Sequence, residues 1–142
     1  MAVRFSRCCN PVPGDEIVGF VTRGRGVSIH RTDCINVINL PEDERGRLID
    51  AEWQVAENPT STEQYSTEIQ IFANNRIGLF ADISKVFTEK QIDITSMNVR
   101  TSKQGRATII MTFDIHGTEE LNRITDKIRQ IDGVLDIQRT TG

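Results

Sequence analysis

The 142-residue sequence predicts an α+β protein of two modules, a small cysteine-containing β-rich one followed by a βαββαβ sandwich. Three observations support this. All three cysteines and one of the two histidines fall within the 27 positions from Cys8 to Cys34. Beyond Tyr65 the apolar residues alternate, then recur at helical spacing, and do both again. Between these regions lies Val55-Ala56-Glu57-Asn58-Pro59-Thr60-Ser61-Thr62-Glu63-Gln64, poor in apolar residues and rich in Pro, Ser, Thr and Glu. It reads as a linker, so the expected organisation is a module over 1–54, a linker over 55–64 and a second module over 65–142.

In the first module, Ile17-Val18-Gly19-Phe20-Val21-Thr22 is β-rich and is closed by Arg23-Gly24-Arg25-Gly26. The two glycines permit a positive-φ turn into Val27-Ser28-Ile29-His30, which predicts a hairpin. Thr32 or Asp33 is placed to cap a short helix over residues 34–39, halted before Pro41. Leu48-Ile49-Asp50-Ala51-Glu52-Trp53 reads as a further strand. About fifty residues make a thin core, and domains this small commonly need a metal or a docked neighbour.

In the second module, Ile69, Ile71 and Ala73 alternate in a strand ending at Asn74-Asn75, and Leu79, Phe80, Ile83, Val86 and Phe87 then define a helix. Ile92, Ile94 and the residues to Arg100 form a second strand. After the turn Lys103-Gln104-Gly105, the residues Ala107, Ile109, Met111, Phe113 and Ile115 alternate through a third. Thr118 is placed to cap a second helix with Glu119 and Glu120 in its first turn. The apolar stripe of that helix is Leu121, Ile124, Ile128 and Ile131, and Gly133 ends it. Residues 134–138 close the chain as a fourth strand. The order is that of a ferredoxin-like sandwich.

Composition narrows the class. The apolar share of 37% and charged share of 26% are those of a soluble globular protein. No apolar run approaches the ~20 residues of a membrane span, and no leader-like pattern opens the sequence. The expected location is the cytoplasm, where three cysteines argue against a disulfide framework. The net charge of −3 is unevenly spread: residues 1–31 carry five arginines against Asp15 and Glu16, a local +3. Arg7, Arg23, Arg25 and Arg31 therefore form either a basic face suited to phosphate forks or an ordinary solvated surface. The stiff loop Asn10-Pro11-Val12-Pro13-Gly14-Asp15 is either punctuation or part of that face.

Cys8, Cys9, His30 and Cys34 offer three sulfurs and one imidazole nitrogen, a set chemically suited to zinc. Neighbouring side chains in extended backbone point oppositely, so Cys8 and Cys9 can share an ion only across a sharp turn. Otherwise the thiols pack as small hydrophobes. A catalytic thiol needs a base, an oxyanion site and a pocket, and one histidine beside three thiols supplies too little. Asn75, Arg76, Ile77, Gly78 and Leu79 stand where a helix begins, and free backbone donors there suit a carboxylate, unless Asn75 simply caps the helix. Base stacking on the sheet is disfavoured, because Arg106-Ala107-Thr108-Ile109-Ile110-Met111-Thr112-Phe113 lacks an aromatic-glycine signature. Nothing offers the carboxylates and phosphate cradle of a phosphoryl transferase.

The βαββαβ order with Asn75-Arg76-Ile77-Gly78-Leu79 at its first strand-to-helix turn resembles the ACT domain, a regulatory module of amino-acid metabolism. With Cys8-Cys9-Asn10-Pro11-Val12-Pro13-Gly14-Asp15 and His30-x-x-x-Cys34 added, the chain resembles the C-terminal regulatory region of the RelA/SpoT family. These are the (p)ppGpp synthetase/hydrolases, or GTP pyrophosphokinases, of the stringent response. The resemblance implies a zinc-finger-like module and an ACT domain without catalytic activity of their own, regulating catalytic domains upstream. It further implies docking on the ribosome, through ribosomal RNA, and on uncharged tRNA. In amino-acid-binding relatives a branched-chain ligand lies at the 75–79 turn against the second strand of a partner domain, here Asp93, Ile94, Thr95 and Ser96. A homodimer is the corresponding expectation. The rival is a stand-alone amino-acid-sensing ACT dimer with no RNA role. Asn75 and Ile77 depart from the frequent Asp-Arg-Pro-Gly form of this turn, which leaves the ligand's identity open.

Overall fold

The structure, a computed structural model, describes residues 3–24, 26–53 and 63–140. Arg25 and nearly all of the expected linker lie outside the described residues. The first module is a four-stranded sheet of β1 (Val3–Phe5), β2 (Ile17–Thr22), β3 (Gly26–Arg31) and β4 (Leu48–Asp50), in the order β1-β3-β2-β4. β2 and β3 form the expected hairpin, in register from Ile17 opposite Arg31 to Thr22 opposite Gly26. β1, which the sequence pattern did not mark, runs parallel to β3. The last strand stops at Asp50, after a 3-10 turn over Arg45–Arg47.

The short helix α1 covers Ile35–Ile38 only. Its N-cap residue is Cys34, with no side-chain cap, so neither Thr32 nor Asp33 fills that role. Asp33 instead accepts a hydrogen bond from Arg31. Val37 of α1 joins Cys9 and Cys34 in a small core, with Cys8, Val18 and Leu48 against it.

In the second module, β5 (Tyr65–Asn74), α2 (Leu79–Glu89), β6 (Ile94–Thr101), β7 (Arg106–Ile115), α3 (Thr118–Arg129) and β8 (Val134–Arg139) follow the expected order. The sheet is antiparallel, β6-β7-β5-β8. Strand alternation puts Ile69, Ile71, Ala73, Ile109, Met111 and Phe113 on one face. The stripes Leu79, Ile83, Phe87 and Leu121, Ile124, Ile128 of the two helices cover it. Phe87 meets Phe113 edge-on at 4.9 Å between ring centroids, an arrangement aromatic quadrupoles favour. β6 is an edge strand lying beyond this cover: Met97 and Val99, opposite the core residues Met111 and Ile109, are each 37% exposed.

Two helix starts differ from expectation. Gly78, left-handed at φ 85°, is the N-cap of α2, so Asn75 does not cap it. Gly117 is the N-cap of α3, and Thr118 is its first helical residue. The free N–H of Thr118 donates to Pro13 O at 2.8 Å, a bond made between the two modules. Val12, fully buried, belongs to the core of the second module although the sequence places it in the first.

Candidate metal centre and the module junction

The turn that Cys8 and Cys9 require is present. Residues 7–9 form turns, Asn10 follows at φ 48°, and Asn10 N–H closes the loop on Ser6 O at 3.1 Å. β3 carries His30 to the same place, and the start of α1 brings Cys34. The ligand atoms of Cys8, Cys9, His30 and Cys34 all lie within 4.8 Å of one another, close enough to hold a metal ion. Cys8 Sγ is 3.5 Å from Cys34 Sγ, 4.0 Å from Cys9 Sγ and 3.4 Å from His30 Nδ1; Cys9 Sγ is 3.9 Å from that nitrogen. A tetrahedral ion with sulfur bonds near 2.3 Å sets its sulfur ligands ~3.8 Å apart. The observed separations bracket that value. The residues fit such an ion in donor type, count and spacing.

The surroundings act on the four ligands in both directions. Burial raises the Cys8 thiol, but hydrogen bonds led by those from Ser6 and Asn36 outweigh it and bring the net value below the ordinary range. Ser6 Oγ lies 2.8 Å from Cys8 Sγ. Burial pushes Cys9 up to about 12, against the partial relief of the Arg31 backbone N–H. Burial likewise raises Cys34, which the Asn36 N–H offsets in part. Burial lowers His30, keeping the imidazole neutral and its ring nitrogen a better ligand. Cys8 is thus the readiest of the three thiols to ionise, and any metal binding Cys9 and Cys34 as thiolates would displace their protons. Sequence reasoning missed Ser6 and Asn36, whose roles appear only once the turn and α1 bring them to the sulfurs.

Next to the cluster, the Asn10–Asp15 loop is an inter-module dock. Arg139, the last residue of β8, grips the Asp15 carboxylate with both ends of its guanidinium, at 2.7 and 3.0 Å, and donates to Asn10 O at 3.2 Å. Asp15 Oδ2 also accepts from Val12 N–H, so one carboxylate shapes the loop and anchors the junction. Gly14 has φ 103°, and a Cβ there would fall 2.0 Å from Thr118 Oγ1, so both conformation and space demand glycine. Trp53 stacks on Phe5 at 5.3 Å, meets Tyr65 edge-on at 5.5 Å and donates from Nε1 to Asp15 O at 3.0 Å.

The remaining candidate residues separate. Arg7 and Arg23 are exposed. Arg31 is not: it is 5% exposed, paired with Asp33, and donates from Nη1 to Cys9 O and Thr140 O. Burial in the junction removes it from the basic face. At the 75–79 turn, Ile77 is fully exposed, while Arg76 is held by Asp132 O, Ile77 O and Asp82. Asp93, Ile94, Thr95 and Ser96 stand at the opposite end of the sheet, because Ile94 pairs with Phe113 whereas Asn74 pairs with Arg106. At ~3.3 Å per residue, the ends of β6 are roughly 23 Å apart. The two halves of the expected ligand site do not meet within one chain.

Comparison with known proteins places this architecture. The second module matches the ACT domain over residues 61–139, more than half of the chain, so this is an ACT-domain protein. The first matches the RelA/SpoT RIS domain over residues 1–54. The GTP pyrophosphokinase of Streptomyces coelicolor is 39% identical over 139 residues, 98% of this chain and 16% of the relative. That of Escherichia coli K12 is 38% identical, over 97% of this chain and 18% of the relative. The bifunctional (p)ppGpp synthase/hydrolase RelA of Mycobacterium tuberculosis is 37% identical over 97% of this chain and 18% of its own length. The solved ACT domain from the GTP pyrophosphokinase of Chlorobium tepidum aligns with 54% of this chain and 99% of its own at a TM-score of 0.49 and 22% identity. The chain belongs to the RelA/SpoT family and spans under a fifth of the length of these relatives.

Proposed function

We propose that this chain is a regulatory, non-catalytic part of a (p)ppGpp synthetase/hydrolase in the cytoplasm, coupling docking on ribosomal RNA and uncharged tRNA to catalytic domains elsewhere in the polypeptide. The observation that carries this reading is the RIS–ACT order over nearly the whole chain, in relatives more than five times its length. The cluster of Cys8, Cys9, His30 and Cys34 holds zinc, which reinforces the small core of that module. Arg7 and Arg23, exposed on that module, meet phosphates. Partner binding shifts the whole enzyme towards the arrangement the partner prefers.

The ACT module binds a branched-chain amino acid between two copies. Antiparallel pairing of two β6 edges about a two-fold axis would bring Asp93–Ser96 of one chain towards Asn75–Leu79 of the other, closing the distance that separates them in a single chain. It would also cover Met97 and Val99.

Replacing Arg7 and Arg23 together with alanine tests the RNA assignment. Affinity for uncharged tRNA or ribosomes should fall, and the slope of log K against log salt should flatten by about 0.7–0.9 per lost phosphate contact. Unchanged low-salt affinity would refute the assignment.

A further inference from the structure

Arg31 touches both the metal centre and the other module. Its backbone N–H donates to Cys9 Sγ at 3.3 Å, and its Nη1 donates to Cys9 O and to Thr140 O, each at 3.2 Å. Thr140 immediately follows β8 and donates its own N–H to Glu68 O on β5. One side chain thus holds a candidate ligand and the second module's sheet together. A second connection runs through the chain itself. Only two residues separate Cys9 from the buried Val12, and both are stiff: Asn10 is left-handed at φ 48°, and Pro11 has its φ fixed by its ring. Cys9 can hardly move without moving Val12, Arg31 or both.

We propose that Arg31 is a positioning residue that couples occupancy of the metal centre to docking of the ACT module. An ion that fixes Cys9 also fixes the Arg31 fork and the Asn10–Asp15 loop, and so favours the docked arrangement. By linkage, a docked ACT module raises metal affinity by the same factor. The inference rests on the reading of the cluster as a metal centre, and it adds a route by which that centre informs the second module.

The test measures zinc affinity of the full chain, by competition with a chromophoric chelator, for the parent, Arg31→Lys and Asp15→Asn. Lysine retains the charge but loses the fork, and zinc should bind 10–100-fold more weakly, as for other changes next to metal ligands. Asp15→Asn is the sharper variant, because Asp15 touches none of the four ligands and acts on the junction through Arg139. It should weaken zinc about 5-fold or more. Stripping zinc from the parent should also shift the emission of Trp53, the chain's one tryptophan, which bonds to Asp15 O. The proposal is overturned if Arg31→Lys or Asp15→Asn binds zinc as tightly as the parent, or if Trp53 emission ignores the metal. A parent chain that takes up no zinc would overturn the metal reading itself, and the coupling with it. If Arg31→Lys fails to fold, Asp15→Asn and the Trp53 signal decide alone.

Discussion

Truncating Val12 to alanine tests whether the two modules share a core. Val12 has no solvent exposure and packs among the core residues of the second module. The substitution deletes two methyl groups, a transfer loss of about 1.6 kcal/mol at ~0.8 kcal/mol per buried carbon. Prolines on both sides hinder collapse of the loop into the gap, so a cavity contribution brings the cost to about 2–3 kcal/mol. For a chain of this length, at about 4 °C per kcal/mol, the melting temperature should fall by about 8–12 °C. Two probes should record it together: far-UV circular dichroism, and Trp53 fluorescence for the junction. Ile35→Ala, a three-carbon truncation at a half-exposed site of the first module, should cost only about 1 kcal/mol. An unshifted melting temperature in Val12→Ala would refute the shared core. So would a fluorescence transition that falls while the dichroism transition stays in place, because the second module would then not depend on Val12.

Two further outcomes are expected. In the metal-free chain, Cys9 is held up to about 12 against an ordinary 9.0, so with rising pH the unfolded chain deprotonates first. Stability from this group is intact below pH 9 and is lost between pH 9 and about 12. His30 is shifted down from 6.5, so on acidification the unfolded chain protonates first and stability falls below that pH. Urea midpoints measured at acid, neutral and alkaline pH should peak near neutrality, and zinc should abolish the alkaline loss; a midpoint flat through pH 10 without metal would contradict this. At the sheet edge, Met97→Arg should yield a monomer by analytical ultracentrifugation. It should also abolish thermal stabilisation by valine, which for a ligand at 100 times its dissociation constant is about 2.7 kcal/mol. Valine stabilisation persisting in a Met97→Arg monomer would sink the two-copy site.

The second module was legible because its code is local. Strict alternation in 107–115 and the stripe Leu121, Ile124, Ile128 each specify an element without reference to the rest of the chain. The cysteine cluster was legible because a hairpin and a short helix suffice to fold 27 positions onto themselves. What stayed hidden depends on distant partners. β1 is three residues long with every side chain exposed, and only its parallel partner β3 makes it a strand. Arg31 looked like one more arginine on a basic tip, but it is buried and one of its partners, Thr140 O, lies 109 positions away. Val12, lying between two prolines, carried the pattern of a surface turn until the second module supplied the core around it. Asn75 looked like a cap by residue type, but the chain enters α2 three residues later, through the left-handed Gly78.

Whether Cys8, Cys9, His30 and Cys34 form a metal centre can be read from native mass spectrometry of the reductively purified chain. One zinc per chain is expected, lost when His30 and Cys34 are replaced together by alanine and serine. A folded chain that stays metal-free after incubation with zinc would contradict it and leave the cluster as packed thiols.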